Sequence, residues 1–195
     1  MDDARLKDLI AKYKKWGGFK KTTCLPWYIQ KLEKETPSKA AIPGEITDFC
    51  NKEVGKPWLN RIRPQTLRKL NTRLQKALPV IVKAADFDAL MKILHAQRVP
   101  GIGEVNLYAL ALLIGFHLDL EPEYIYLHGG AWTGFRNLCG EVSRCVIHTP
   151  YGKKIKKVDL PRSLANSGLT CIELEDFFCW AHGRVSAPEG KRRGA

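Results

Sequence analysis

The chain has 195 residues, of which 45% are hydrophobic and 27% are charged. This balance is typical of a soluble globular protein, and the length is enough to bury a core that needs neither disulfides nor metal. No apolar run reaches the roughly 18 residues of a membrane span, which excludes a transmembrane protein. Lysine and arginine number 32 against 20 acidic residues, and the resulting net charge of +12 attracts polyanions such as nucleic acid or acidic lipid.

Six cysteines are scattered along the chain without a Cys-x-x-Cys pair. The chain opens with Met1-Asp2-Asp3, whose two aspartates do not resemble the basic start of a signal peptide. We therefore expect a cytoplasmic protein without membrane association, whose cysteines are reduced and behave as small buried hydrophobes.

Metal binding is the alternative for the cysteines in the last third of the chain. Their spacing is not that of a zinc finger or zinc ribbon, nor the tight spacing of a four-cysteine iron–sulfur cluster. The prediction is therefore no metal and no cofactor. The side chains that could serve as zinc ligands are Cys139, Cys145 and His148, with Cys171 or Cys179 as a fourth.

Apolar residues recur every three or four positions along most of the chain, which predicts a mainly helical fold. The first helix is expected over residues 3–16, before Gly17-Gly18. The last helix should begin at the capping box formed by Thr170 and Glu173. Other helices are predicted at 25–32, at 45–54, from Pro64 until Pro79 bends or ends it, after the N-cap Asp86, at 107–116 and at 132–138.

Strand signals are sparse and lie late in the sequence. Residues 124–127 fit either a strand or the start of a helix. Residues 144–147 and 155–160 are expected to pair as a two-stranded β ribbon near 144–160. We expect residues 1–183 to form a single mainly helical domain and residues 184–195 to form a disordered basic tail.

The stretch Val99-Pro100-Gly101-Ile102-Gly103 joins two of the predicted helices. Proline ends the first helix, because the residue before a proline avoids the helical region. The glycines permit positive φ and close approach, and Ile102 between them can enter the core. The next helix begins directly after Gly103, and its first N–H groups suit a phosphate.

This pattern of hydrophobic residue, Pro, Gly, hydrophobic residue and Gly between two helices resembles the helix-hairpin-helix family of DNA-binding elements. The resemblance covers roughly residues 93–117, within a helix-hairpin-helix element of about 86–117, and implies sequence-independent binding of DNA backbone. Where the family often has a small residue on the second helix, this chain has Leu107, which predicts altered packing between the helices. Glu104 beside the expected phosphate site would repel a phosphate unless its side chain turns away.

The layout around the hairpin also resembles the base-excision DNA glycosylases of that superfamily. Their bifunctional members use a lysine two positions after the second glycine, where this chain has Val105. Their aspartate lies in the extended stretch before the next helix, where this chain has Tyr126-Leu127-His128. Glycosylase chemistry is therefore the second hypothesis, and its candidate catalytic groups are His128, Glu123 and Tyr126.

The expected DNA contacts come from two segments. The lysine-rich segment 153–157 either lies along a phosphate backbone or is a solubilising edge strand. The predicted contact residues are Arg98, Val99, Pro100, Gly101, Ile102, Gly103 and Val105 in the hairpin, and Lys153, Lys154, Lys156 and Lys157 in the later segment.

Three function classes follow from these patterns. The first is a module that binds double-stranded DNA with little sequence preference, in DNA repair, modification or defence, alone or with a protein partner in a larger complex. The second is a noncanonical DNA glycosylase acting on a damaged or modified base. The third is a helical interaction subunit whose basic face meets an acidic partner.

Overall fold

The computed structural model describes residues 2–18, 36–52 and 59–185. These residues form eight α-helices and one three-stranded antiparallel sheet, which confirms the mainly helical prediction. None of the described helices has the length and apolar character needed to cross a membrane. The helices are Asp3–Trp16 (α1), Ile42–Cys50 (α2), Pro64–Ile81 (α3), Phe87–Ala96 (α4), Glu104–Leu118 (α5), Gly129–Cys139 (α6), Arg162–Ala165 (α7) and Cys171–His182 (α8); the strands are Tyr124–Tyr126 (β1), Ile147–Thr149 (β2) and Gly152–Lys156 (β3).

The described chain divides into two compact units. The terminal unit contains residues 2–18 and 123–185, and the central unit contains residues 36–52 and 59–122. The expectation of one domain over residues 1–183 did not foresee this division. Local periodicity cannot show that the first helix packs with the last third of the chain.

Helices α1, α6 and α8 form much of the core of the terminal unit. Helices α6 and α8 approach so closely that a Cβ on Gly134 would lie 1.9 Å from the carbonyl oxygen of Phe178, so only glycine fits there. The Tyr13 hydroxyl donates a 2.7 Å hydrogen bond to the buried carboxylate of Asp176. Burial, together with that negative charge, raises the pKa of Tyr13 well above its ordinary value, so the phenol remains a donor and holds α1 to α8.

The sheet of the terminal unit has the strand order β1-β3-β2. Ile125 lies opposite Ile155, and Thr149 lies opposite Gly152. The predicted ribbon near 144–160 is present, but its strands are β2 and β3 and not residues 144–147 and 155–160, and residues 124–126 add a third strand. The alternative of a lysine-rich edge strand is wrong, because β3 is hydrogen-bonded on both sides.

Two predicted helix caps are confirmed, and of the two alternatives predicted for Pro79 the helix end is wrong. The Asp86 carboxylate accepts a 2.7 Å hydrogen bond from the backbone N–H of Ala89. Thr170 and Glu173 form the reciprocal capping box, with bonds of 3.2 and 2.8 Å. Pro79 does not end α3, which continues to Ile81, because a proline in the last turn removes only one of the final hydrogen bonds.

Helix α5 lies at the centre of the central unit. Its residues from Leu107 to Gly115 are all buried, as expected for a helix that is apolar on every side. Helices α2 and α4 pack against it. Near its end the backbone N–H of Ser38 donates to Nδ1 of His117, and Nε2 of the same ring lies 3.6 Å from the buried Glu45 carboxylate. The helix that carries the candidate phosphate site is therefore fixed along most of its length.

Two predictions fall wholly or largely on residues outside the described ones, namely the helix at 25–32 and most of the tail at 184–195. The first two residues of that tail are described and are not free chain. Val185 is buried in the core of the terminal unit, and the Arg184 guanidinium donates to the Trp180 carbonyl oxygen at 2.8 Å. The predicted tail therefore begins at least two residues too early.

Candidate nucleic-acid interface

A tight turn connects α4 to α5. The Ile102 N–H donates to the Val99 carbonyl oxygen at 3.1 Å, and Gly101 has a φ of +92°. A type II turn favours proline in its second position and requires a residue that tolerates positive φ, usually glycine, in its third. Any other side chain at Gly101 would be held in the left-handed region at a cost of about 1–3 kcal/mol. The residue types of Pro100 and Gly101 thus fix the direction in which the chain enters α5.

Two of the predicted contact residues, Val99 and Ile102, anchor the turn from the core side. Ile102 is fully buried and Val99 is almost so, whereas Pro100 and Gly101 are exposed at the tip. The side chains of Ile102 and Val99 therefore cannot touch a ligand on the surface. Their contribution is to anchor the turn in the core of the central unit, and the surface itself is made of the backbone between them.

The N-terminus of α5 lacks a side-chain cap. Gly103 is the N-cap residue, and the backbone N–H groups of Asn106 and Leu107 both donate to its carbonyl oxygen. The first amides of any α-helix lack acceptors within the helix, and they carry the positive end of the macrodipole. Serine, threonine, aspartate or asparagine would ordinarily cover such amides, and glycine leaves them accessible.

Gly103 is not required by the backbone at this position. Its φ of −85° and ψ of 166° are extended values that any residue adopts. A Cβ placed there would have Asn106 Nδ2 as its nearest neighbour at 3.8 Å, which is ordinary contact. What the glycine provides is an open approach to the helix terminus. This is the geometry by which backbone amides receive a phosphate oxygen.

Two arginines brace the hairpin. Arg98 is exposed, and its Nε donates to the Ile102 carbonyl oxygen at 2.7 Å across the turn. Arg73 on α3 donates from Nη1 to the Arg98 carbonyl oxygen at 3.0 Å. A Cβ on Gly101 would lie 3.5 Å from Thr66, also on α3. Helix α3 therefore runs directly beside the turn and brings its charges to the same surface.

The basic character of α3 was not singled out in the sequence, although the signal is present. Residues 59–85 contain no aspartate or glutamate. Such a run is visible only when charges are counted by segment and not over the whole chain. The seven basic side chains in this run are all exposed: Arg61, Arg63, Arg68, Lys69, Arg73, Lys76 and Lys83.

The later lysine segment lies in the terminal unit and is only partly available. Lys154 is 6% exposed, and its ammonium lies 4.0 Å from the centre of the Tyr124 ring and 5.8 Å from that of Tyr151. The predicted contact between Lys154 and a phosphate is therefore wrong. The central position of β3 places aromatic residues around this side chain, where cation–π attraction holds the ammonium.

The three other lysines of that segment differ from one another. Lys157 donates from Nζ to the Leu169 carbonyl oxygen at 2.6 Å. Lys153 is half-buried, with its ammonium 5.2 Å from the centre of the Trp132 ring. Lys156 is exposed. A role of these three in DNA binding stays a prediction, with Lys156 the best placed of them.

The candidate catalytic groups belong to the terminal unit. Tyr126 and His128 are both buried, and their rings are stacked with centroids 6.0 Å apart. Glu123 is exposed, and its carbonyl oxygen accepts a hydrogen bond from the Cys171 thiol at 3.5 Å. The structure thus brings Tyr126 and His128 together within a packed region. Val105 occupies the position, two residues after Gly103, at which the bifunctional glycosylases have their lysine. Its side chain is exposed and carries no amine.

Two of the cysteines, Cys50 and Cys139, are buried like small hydrophobic residues. Burial raises the pKa of the Cys50 and Cys139 thiols to about 12, so both remain protonated. Among residues 2–18, 36–52 and 59–185, no three His, Cys, Asp or Glu side chains are grouped so that they could hold a metal ion.

Comparisons of the chain with models of protein families, with curated proteins and with solved structures find no match.

Proposed function

We propose that this protein binds duplex DNA through its phosphate backbone, with the hairpin between α4 and α5 as the primary contact. The observation that carries the proposal is the N-terminus of α5 at Gly103, where the N-cap residue makes no side-chain cap hydrogen bond and an exposed turn lies directly before the helix. A phosphate docked there accepts several backbone hydrogen bonds and neutralises the positive end of the helix. Such contacts position a protein on DNA without reading its sequence.

The charge around the turn supports a polyanion as ligand. Arg98 crosses the turn, and Arg73 lies against it from α3. Glu104 opposes this field, since it is the first residue of α5 and partly exposed. An acidic residue in the first turn stabilises the helix itself, which accounts for its presence beside an anion site.

We expect the double variant Gly101→Ala, Gly103→Ala to lose DNA affinity while keeping its helix content. The alanine at position 101 strains the turn that leads into α5, and the alanine at position 103 adds a methyl group beside the helix terminus. The loss of one charge-assisted contact corresponds to about 1.5–3 kcal/mol, or roughly a 10- to 100-fold weaker Kd. Fluorescence anisotropy on a labelled duplex measures the affinity, and far-ultraviolet circular dichroism measures the helix content.

Gly183→Ala is the matched control, because a Cβ there meets no atom within 4 Å and its φ is −85°. This variant should bind DNA as the unmodified chain does. A folded double variant with unchanged affinity would remove the hairpin as the DNA-binding element.

A further inference from the structure

We propose that α3 carries a second DNA contact, a stripe formed by Lys69, Arg73 and Lys76, which binds a row of backbone phosphates beside the hairpin. This inference rests on the proposed function and extends it by naming a second surface and the extent of duplex it covers. The three side chains are exposed and lie four and then three residues apart. Residues with that spacing share one face of a helix.

The contacts of α3 place this face next to the turn. Thr66 and Arg73 are two helical turns apart on α3, and both meet the hairpin, one at Gly101 and the other at the Arg98 carbonyl oxygen. Lys69 lies between them along the helix, and Lys76 continues the same face. A ligand seated on the hairpin therefore has the stripe as its neighbour on one side.

The dimensions of the stripe suit a duplex backbone. With a rise of 1.5 Å per residue, Lys69 and Lys76 are separated by about 10 Å along the helix axis. Successive phosphates of one strand advance about 3.4 Å along the duplex, so the stripe spans about three of them. Because residues 59–85 contain no acidic residue, no carboxylate within α3 offsets these charges.

Arg73 has a double role in this arrangement. One of its five N–H donors is used on the Arg98 carbonyl oxygen, and the guanidinium keeps its full charge for a phosphate. Arg73 thus links the hairpin and the stripe, whereas Lys69 and Lys76 show no hydrogen bond to the turn among the residues that the structure describes. The two lysines are therefore the residues with which to test the stripe separately from the hairpin.

The test is the salt dependence of duplex binding by Lys69→Gln, Lys76→Gln, compared with the control variant Lys39→Gln, Lys92→Gln, whose lysines lie outside the basic run 59–85. The four lysines are exposed and all lie in the central unit, so both variants lose two charges and should fold. Each phosphate contact contributes about 0.9 to the slope of log Kobs against log salt, so the stripe variant should lose about 1.8 of that slope. At 0.1 M salt its affinity should fall about 10- to 100-fold, and the control should change far less.

An unchanged slope in the stripe variant, or an equal change in the control, would overturn the stripe. If Gly101→Ala, Gly103→Ala loses affinity while the stripe variant does not, the hairpin stands and the stripe fails. The reverse result would leave the stripe as the DNA contact and remove the hairpin. If poly-glutamate of matched charge competes equally well, the ligand of this face is an acidic polypeptide and not a duplex. If the unmodified chain does not bind duplex DNA at low salt, both proposals are wrong.

Discussion

Replacing Gly103 with aspartate should stabilise the protein and weaken its binding to DNA at the same time. The backbone at this position is extended, and a Cβ has only ordinary contact with Asn106, so the substitution introduces no strain. The new carboxylate would accept a hydrogen bond from an amide of the first turn and interact favourably with the macrodipole. Together these effects should add about 0.5–1 kcal/mol to the free energy of unfolding.

The same carboxylate would occupy the place where a phosphate is proposed to dock. It satisfies the amides and adds a negative charge, so the Kd for duplex DNA should rise about 10- to 100-fold. Gly103→Asn is the matched control, since asparagine caps the helix without a charge and should give a smaller loss of affinity. Calorimetry and anisotropy on the three proteins measure the two effects. A stabilised Gly103→Asp variant that binds DNA as tightly as the unmodified chain would show that phosphates do not bind at α5.

Ile102→Ala should produce the largest loss of stability among hairpin substitutions. Ile102 is fully buried, and truncation of a buried isoleucine removes apolar contacts and leaves a cavity, at a cost of about 2–5 kcal/mol. Because the turn is anchored by the buried side chains of Ile102 and Val99, truncation of Ile102 also removes one of its two anchors. Amide hydrogen exchange in α4 and α5 is the suitable measurement, since it follows the unit that contains the hairpin.

Val105→Ala serves as the comparison for this prediction. Val105 is 43% exposed and only three positions away, so its truncation should change stability by less than about 0.5 kcal/mol. Exchange rates in α4 and α5 that are equal for the two variants would contradict the role of Ile102 as an anchor of the turn.

The local features of the fold could be predicted because each depends on residues close in sequence. Asp86 and the pair Thr170 and Glu173 cap helices through bonds that span three residues. The turn at Pro100 and Gly101 likewise follows from the φ preferences of two adjacent residues. Such signals are complete within a short window and need no knowledge of the tertiary structure.

The features that were missed depend on distant partners. Tyr13 meets Asp176 across 163 positions, and this contact joins the first helix to the terminal unit. The burial of Lys154 follows from β1, whose Tyr124 comes to lie beside it only when the sheet forms. Sequence alone predicts that a lysine lies on the surface, unless its cross-strand neighbours are known.

Only part of the candidate site could be predicted, because the rest of it also depends on residues distant in sequence. The turn itself was found from its motif, but Arg73 reaches it from 25 positions away, and no local pattern connects the two. The basic face of α3 was hidden because a total charge of +12 does not show where the charge is concentrated. Counting acidic residues by segment would have identified it.

The most direct test of the central claim is the affinity of the unmodified chain for plain duplex DNA as a function of salt, measured beside duplexes with an abasic site or a mismatch and analysed for released base. A protein that grips the phosphate backbone should lose affinity steeply as salt increases, bind the three duplexes alike and release no base. Preference for a lesion with release of a base would instead make the chain an enzyme. Absence of binding at low salt would contradict the account entirely.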